Sequence, residues 1–194
     1  MGRQGGLGRS DDDALEERAD RLTREQIVAA AVRLTRASGM ANLTMRALAE
    51  ELGVTPMATY YYVHNKDELI DLVTDAVMAS IPVPEPTSGT WDERLWQLNR
   101  ASRKAMARHP GLADRLMHTP LPPAAQRLED VSLALLQEAG FGEEHARLAY
   151  ATFRACMFGR LVVDGRPTRE TEAAFYQWAF DTLIAGFKSR LARR

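Results

Sequence analysis

Residues 52–69 read L-G-V-T-P-M-A-T-Y-Y-Y-V-H-N-K-D-E-L, which places three consecutive tyrosines, Tyr60, Tyr61 and Tyr62, where a short helix is expected. Neighbours on a helix point about 100° apart, so one core cannot take up all three rings. Large aromatics kept at a surface call for a partner. Working outward, Thr55 reads as an N-cap with Pro56 at the first helical position, where its missing N–H costs nothing. Upstream, Thr44 is a second N-cap, Leu43 is placed to staple onto Leu48, and Gly53 closes that helix after two turns. The two helix starts lie eleven residues apart, with a tight turn between them. That spacing predicts a helix-turn-helix.

The flanks are helical too. Thr23 and Gln26 have capping-box spacing, Ile27, Ala30, Ala31 and Leu34 recur at i, i+3, i+4, i+7, and Gly39 ends the run. Asn65 and Lys66 interrupt the pattern, which resumes as an amphipathic helix over 67–81 through Leu69, Ile70, Val73 and Val77. Pro82, Pro84 and Pro86 with Thr87-Ser88-Gly89 read as a stiff linker. Beyond it, helices are expected over 91–108, 111–118, 123–139, 143–163 and 168–193, broken by prolines and by Gly140 and Gly142. No valine- and isoleucine-rich alternation of strand length occurs. The fold class is therefore all-α in two parts. Residues 1–20, glycine-rich and then acidic, are expected to be a disordered arm.

Composition narrows the function classes. A hydrophobic share of 45% supports a proper core, and no apolar run is long enough to span a membrane. The first twelve residues hold no apolar run of the kind that a secretory leader needs. The single Cys156 cannot form an internal disulfide, which fits a cytoplasmic setting, and its apolar neighbours suggest a buried thiol. Net charge is −1, but it is unevenly spread: residues 1–20 carry −3 and residues 21–66 carry +3. A locally basic segment is a modest pointer to a polyanion.

In a helix-turn-helix the second helix enters the major groove while the first crosses the backbone. Tyrosine suits both locations, since its ring packs and its hydroxyl donates to a phosphate oxygen. The small start Thr55-Pro56-Met57-Ala58 permits close approach, with apolar atoms for thymine methyls. Thr44 and Arg46 open the preceding helix, whose free N–H groups attract phosphate, and Lys66 stands on the far side. Helix-turn-helix geometry also occurs in proteins that bind no DNA, so spacing alone leaves both readings open.

The segment L-T-M-R-A-L-A-E-E-L-G-V-T-P-M-A-T-Y-Y-Y-V-H-N-K-D-E-L-I resembles the DNA-binding domain of the TetR family of one-component repressors. Its members typically read L-T-x-R-x-[LIV]-A-x-x-[LA]-G-V-S-x-x-x-[LI]-Y-x-[YH]-F-x-x-K-x-x-L. The likeness is sharp over about residues 23–72 and only general beyond. It implies that Thr44, Arg46, Tyr60 and Lys66 grip the DNA backbone, and that Thr55, Pro56, Met57, Tyr61 and Tyr62 reach bases or flanking phosphates. Thr59 and Val63 depart from the aliphatic residue and phenylalanine common at those core-facing places.

The resemblance further implies a three-helix DNA-binding domain over 21–66 and a helical ligand-binding and dimerisation domain over 67–194. The partners it implies are double-stranded operator DNA, a largely apolar small-molecule effector and a second copy of the chain. For the effector, the bundle offers Trp96, Met106, Met117, Phe153, Met157 and Trp178, with Arg100, Arg103 and His118 as polar groups. For the dimer, it offers Leu148, Thr152, Ala155 and Gly159, with Trp178, Leu183, Ala185, Gly186 and Phe187. No cofactor and no metal are expected, because the four histidines lack ligand spacing and no glycine-rich phosphate loop occurs. The expected function is a ligand-responsive repressor and not an enzyme. The rival is a helical small-molecule enzyme or carrier whose helix-turn-helix is non-functional.

Overall fold

The computed structural model describes residues 22–163 and 169–193. Among them run nine α-helices and no strand: α1 Arg24–Ser38, α2 Met45–Leu52, α3 Pro56–Tyr60, α4 Lys66–Ala79, α5 Trp91–Ala107, α6 Leu112–His118, α7 Pro123–Glu138, α8 Glu143–Val163 and α9 Arg169–Leu191. The all-α class is as expected. The arm expected over 1–20 lies outside the described residues.

The chain divides into two compact units, one up to Val73 and one from Thr74. The sequence suggested a boundary at 66/67 and a linker at 82–89. By packing, the first half of α4 belongs instead with the N-terminal unit, where Leu69 and Val73 are fully buried. The proline-rich stretch falls inside the second unit.

In the N-terminal unit the caps set each helix. Thr23 and Gln26 form a reciprocal capping box at α1, and Thr44 Oγ1 accepts from the Ala47 N–H at the start of α2. Gly53 ends α2 with φ 65°, a left-handed conformation that a side chain would strain, and its N–H closes back onto Ala49 and Glu50. Thr55 caps α3 with Pro56 next. Asn65, which the sequence reading took as an interruption, is itself a cap: its side chain accepts from Glu68 N–H at 2.8 Å, so α4 begins at Lys66. A short 3-10 turn over Met40–Asn42 joins α1 to α2. Ile27, Ala30, Ala31, Leu43, Leu48 and Val63 are wholly buried between these helices. Each large aliphatic among them contributes about 1.5–3 kcal/mol by leaving water.

The C-terminal unit packs α5, α7, α8 and α9 around Leu95, Leu136, Phe153, Met157, Tyr176 and Phe180. Offset and edge-on ring pairs knit it, Trp96 with Phe180 at 4.6 Å and Phe141 with Phe187 at 5.8 Å. Cys156 lies against this core but is only half-buried. The Ala124 N–H at the start of α7 donates to Asp75 of α4 at 2.8 Å, which suits a carboxylate at a helix N-terminus.

Candidate nucleic-acid interface and ligand cavity

Five large hydrophobic side chains are exposed among the described residues: Met57, Tyr60, Tyr61, Leu148 and Trp178. Three of them lie on or just after α3. Met57 is 78% exposed and Tyr61 86%, so the second helix of the helix-turn-helix presents an aromatic and thioether surface without a partner. Folding gains nothing from leaving them in water.

The three tyrosines separate, with Tyr60 ending α3 and Tyr61 and Tyr62 in the turn that follows rather than on the helix expected there. Tyr60 and Tyr61 face solvent. Tyr62 is half-buried, meets Tyr61 edge-on at 5.9 Å, and donates its hydroxyl to the Leu22 carbonyl at 2.8 Å. Its ring is thus an anchor between the ends of the unit, and its hydroxyl is already engaged. Behind them Thr59 and Val63 are completely buried. The Thr59 hydroxyl donates to the Pro56 carbonyl at 2.7 Å, which is how a threonine stands in an aliphatic place.

Thr55 and Pro56 are exposed beside Met57. Thr44 is exposed at the start of α2, and Arg46 extends from its first turn in a loose pair with Glu50 at 3.6 Å. Lys66 is exposed at the start of α4, its Nζ donating to the Ala41 carbonyl at 3.1 Å. That bond holds the ammonium near the turn before α2. The His64 N–H donates to Glu68 at 2.8 Å, and this bond chiefly holds the Glu68 carboxyl below its ordinary range.

In the C-terminal unit a cavity opens between α4, α5, α6, α7 and α8. Its volume is about 60 Å3. That is room for a few waters, and a drug-sized molecule requires the walls to part. Met106, Met117 and Phe153, expected as ligand contacts, line it, together with Met78, Leu98 and Leu128. The other six expected contacts lie elsewhere. Met157 is wholly buried in the core, and Trp96 packs against Phe180 with the rings tilted. Arg103 lies over the Tyr176 ring at 3.3 Å, and Trp96, Arg100 and Arg103 border an open surface cleft. His118 is exposed and pairs with Asp114 at 3.1 Å, while Trp178 is 70% exposed.

The polar groups in the cavity wall are ones the sequence reading missed: Asn99, Ser102, Ser132, Tyr150 and Arg154. A signal for two of them was present. Leu95, Leu98, Asn99, Ser102 and Met106 follow one helical stripe, in which Asn99 and Ser102 are polar residues on an apolar face. Among the described residues no cluster of three or more His, Cys, Asp or Glu is placed to hold a metal ion, and no helix is long and apolar enough to cross a membrane.

Comparison with known proteins gives this geometry a family. Residues 27–73 match the bacterial regulatory proteins of the tetR family, and residues 83–187 match the tetracyclin repressor-like C-terminal domain. The chain belongs to the TetR family. It is 31% identical over 154 residues to an HTH-type transcriptional regulator of Saccharopolyspora erythraea, covering 78% of this chain and 65% of that regulator's length. Among solved structures it resembles Streptomyces coelicolor ActR in complex with actinorhodin, with TM-score 0.69 and 27% identity over 87% of this chain and 96% of that one. It also resembles BioQ with its double-stranded DNA operator, with TM-score 0.72 and 26% identity over 87% and 99%.

Proposed function

We propose that the chain is a cytoplasmic, homodimeric transcriptional repressor that leaves its operator when a small, largely apolar effector enters the C-terminal cavity. The observation that carries the reading is the exposure of Met57, Tyr60 and Tyr61 on the second helix of a helix-turn-helix. Met57, Tyr61, Thr55 and Pro56 meet base edges and adjoining phosphates, while Thr44, Arg46, Tyr60 and Lys66 hold the backbone. Tyr62 contributes through its ring edge, since its hydroxyl is bound to Leu22.

The remaining exposed hydrophobics, Leu148 and Trp178, stand on the two long helices α8 and α9 with Thr152, Ala155, Ala185 and Gly186 also exposed. A Cβ at Gly159 or Gly186 would meet no atom within 4 Å. Small residues beside bare apolar ones suit the close approach of a second copy's helices. Leu183 and Phe187, also expected on that face, are partly and fully buried in the core.

Coupling runs through α4. One end carries Lys66, and near the other Met78 lines the cavity while Asp75 is tied to α7. The helix is about 20 Å long at 1.5 Å per residue. An effector that parts the cavity walls displaces Met78 and so biases the helix that carries Lys66. A coupling of about 1–3 kcal/mol weakens operator binding 5–150-fold, and operator weakens effector binding by the same factor.

A salt-titrated gel shift against the DNA upstream of the chain's own coding sequence tests the reading. The expected result is one fragment bound well above random DNA of equal length, with affinity falling steeply as salt rises. Equal affinity for every fragment would overturn it.

A further inference from the structure

The cavity wall holds an unsatisfied carboxamide. Asn99 is 3% exposed, and both its Oδ1 and its Nδ2 are buried with no hydrogen-bond partner. Leaving a donor and an acceptor together unpaired in an apolar site is costly to the fold. The other small polar residues on the wall are satisfied locally: Ser102 donates to the Leu98 carbonyl at 2.9 Å and Ser132 to the Leu128 carbonyl at 2.8 Å. Asn99 thus borders the cavity with hydrogen bonds that the chain's own groups leave unmade, and its covered amide atoms meet a guest once the wall parts.

The shape of that something follows from the group. A carboxamide presents an N–H donor and a C=O acceptor side by side, about 2.3 Å apart on one planar edge. The complementary edge is another donor next to an acceptor, as in a lactam or primary amide. The lining points to a largely apolar molecule. Tyr150 on the same wall is driven above its ordinary pKa first by burial and then by Glu129, with Asp130 acting in the same sense and Arg154 against them. Neither carboxylate lines the cavity, where Arg154 is the one charged side chain on an otherwise uncharged and mostly apolar wall. Around Asn99 the flexible Met78, Met106 and Met117 allow the space to widen.

We infer that Asn99 is the specificity determinant of the effector cavity and that the effector is a largely apolar molecule carrying a cis-amide edge that pairs with the Asn99 carboxamide. This rests on the effector reading above. A missing partner at such a site is discriminated strongly, because the protein's own polar groups are then left unpaired.

Two probes of one skeleton test it: 2-quinolinone, whose N–H and C=O form the required edge, and 1-methyl-2-quinolinone, whose donor is blocked. Both are titrated calorimetrically into the full chain without DNA. The wild-type protein is expected to favour 2-quinolinone by about tenfold or more, and Asn99→Leu is expected to bind both probes equally. Equal binding of the two probes by wild type overturns the inference, since Asn99 then serves only internal water. So does an undiminished preference in Asn99→Leu, or no binding of either probe by wild type at millimolar concentration. The wild-type preference is decisive even if the variant fails to fold. Operator release is measured separately: discrimination in the cavity without any effect on DNA sinks the regulatory reading and leaves the ligand class standing.

Discussion

The Tyr62 hydroxyl donates to the Leu22 carbonyl at 2.8 Å across forty residues of chain, while the adjacent Tyr61 ring is 86% exposed. The bond ties the end of the recognition segment to the start of α1. Tyr62→Phe is expected to destabilise the folded chain by about 1 kcal/mol, the ordinary net value of such a bond, in urea unfolding. An unchanged midpoint would show that water replaces the phenol without loss.

Tyr61 and Met57 are 86% and 78% exposed, so truncating them leaves stability nearly untouched. Met57→Ala and Tyr61→Ala are each expected to change sequence preference by about 1–3 kcal/mol per lost base contact. Binding-site selection from a randomised library reads this out. A variant that selects the wild-type site at wild-type affinity removes that residue from the base-reading set.

Lys66 behaves differently because a lysine is a point charge. Lys66→Ala is expected to weaken binding to all DNA sequences alike and to lower the slope of log K against log salt by about one unit. The slope is measured by titrating operator binding between low and physiological salt. An unchanged slope would show that the ammonium stays on Ala41 and meets no phosphate.

At Gly186 an added side chain enters open space in the single chain, and leaving glycine favours a helix by up to about 1 kcal/mol. Gly186→Glu is therefore expected to fold normally yet to be monomeric by light scattering, with operator affinity largely lost. A two-fold dimer reads half-sites about 34–36 Å apart, or a multiple of that, so the operator should be near-palindromic. A Gly186→Glu protein that remains dimeric moves the interface to another face.

The first turn of α5 and the last turn of α9 are joined by Lys188 and Asp92 at 2.6 Å. Burial alone would raise the Asp92 carboxyl, but hydrogen bonds from Lys188 and Thr90 reverse this and bring it below its ordinary value. A depressed carboxyl contributes stability above its unfolded pKa of about 3.9 and loses it as pH falls through the folded value. Lys188→Met should thus lower the melting temperature near neutral pH and narrow its difference from wild type below about pH 4. A constant difference across that range would show that the pair is not coupled to Asp92 ionisation.

Local chemistry made the helix-turn-helix legible. Thr44, Gly53, Thr55 and Pro56 specify helix ends through their own backbones and near neighbours, so the sequence by itself determined those ends and the all-α class. It also indicated that one core cannot take up three adjacent tyrosines, although α3 ends at Tyr60 and the turn after it directs the other two. Which tyrosine turned inward was decided by a carbonyl forty residues away, beyond the reach of any local pattern. The role of Asn65 was missed because an Asn followed by Lys reads equally as a loop or as a cap.

The ligand cavity was decided by tertiary packing. Trp96, Met157 and Phe153 look alike as large residues on helical stripes, yet of the three only Phe153 lines the cavity, because a cavity is what remains where several helices fail to fill the volume between them. The periodicity of α5 puts Asn99 on the stripe of Leu95 and Leu98, a signal the sequence reading left unused. That the carboxamide would find neither a donor nor an acceptor there depended on the side chains brought up by four other helices, and only the folded chain brings them together.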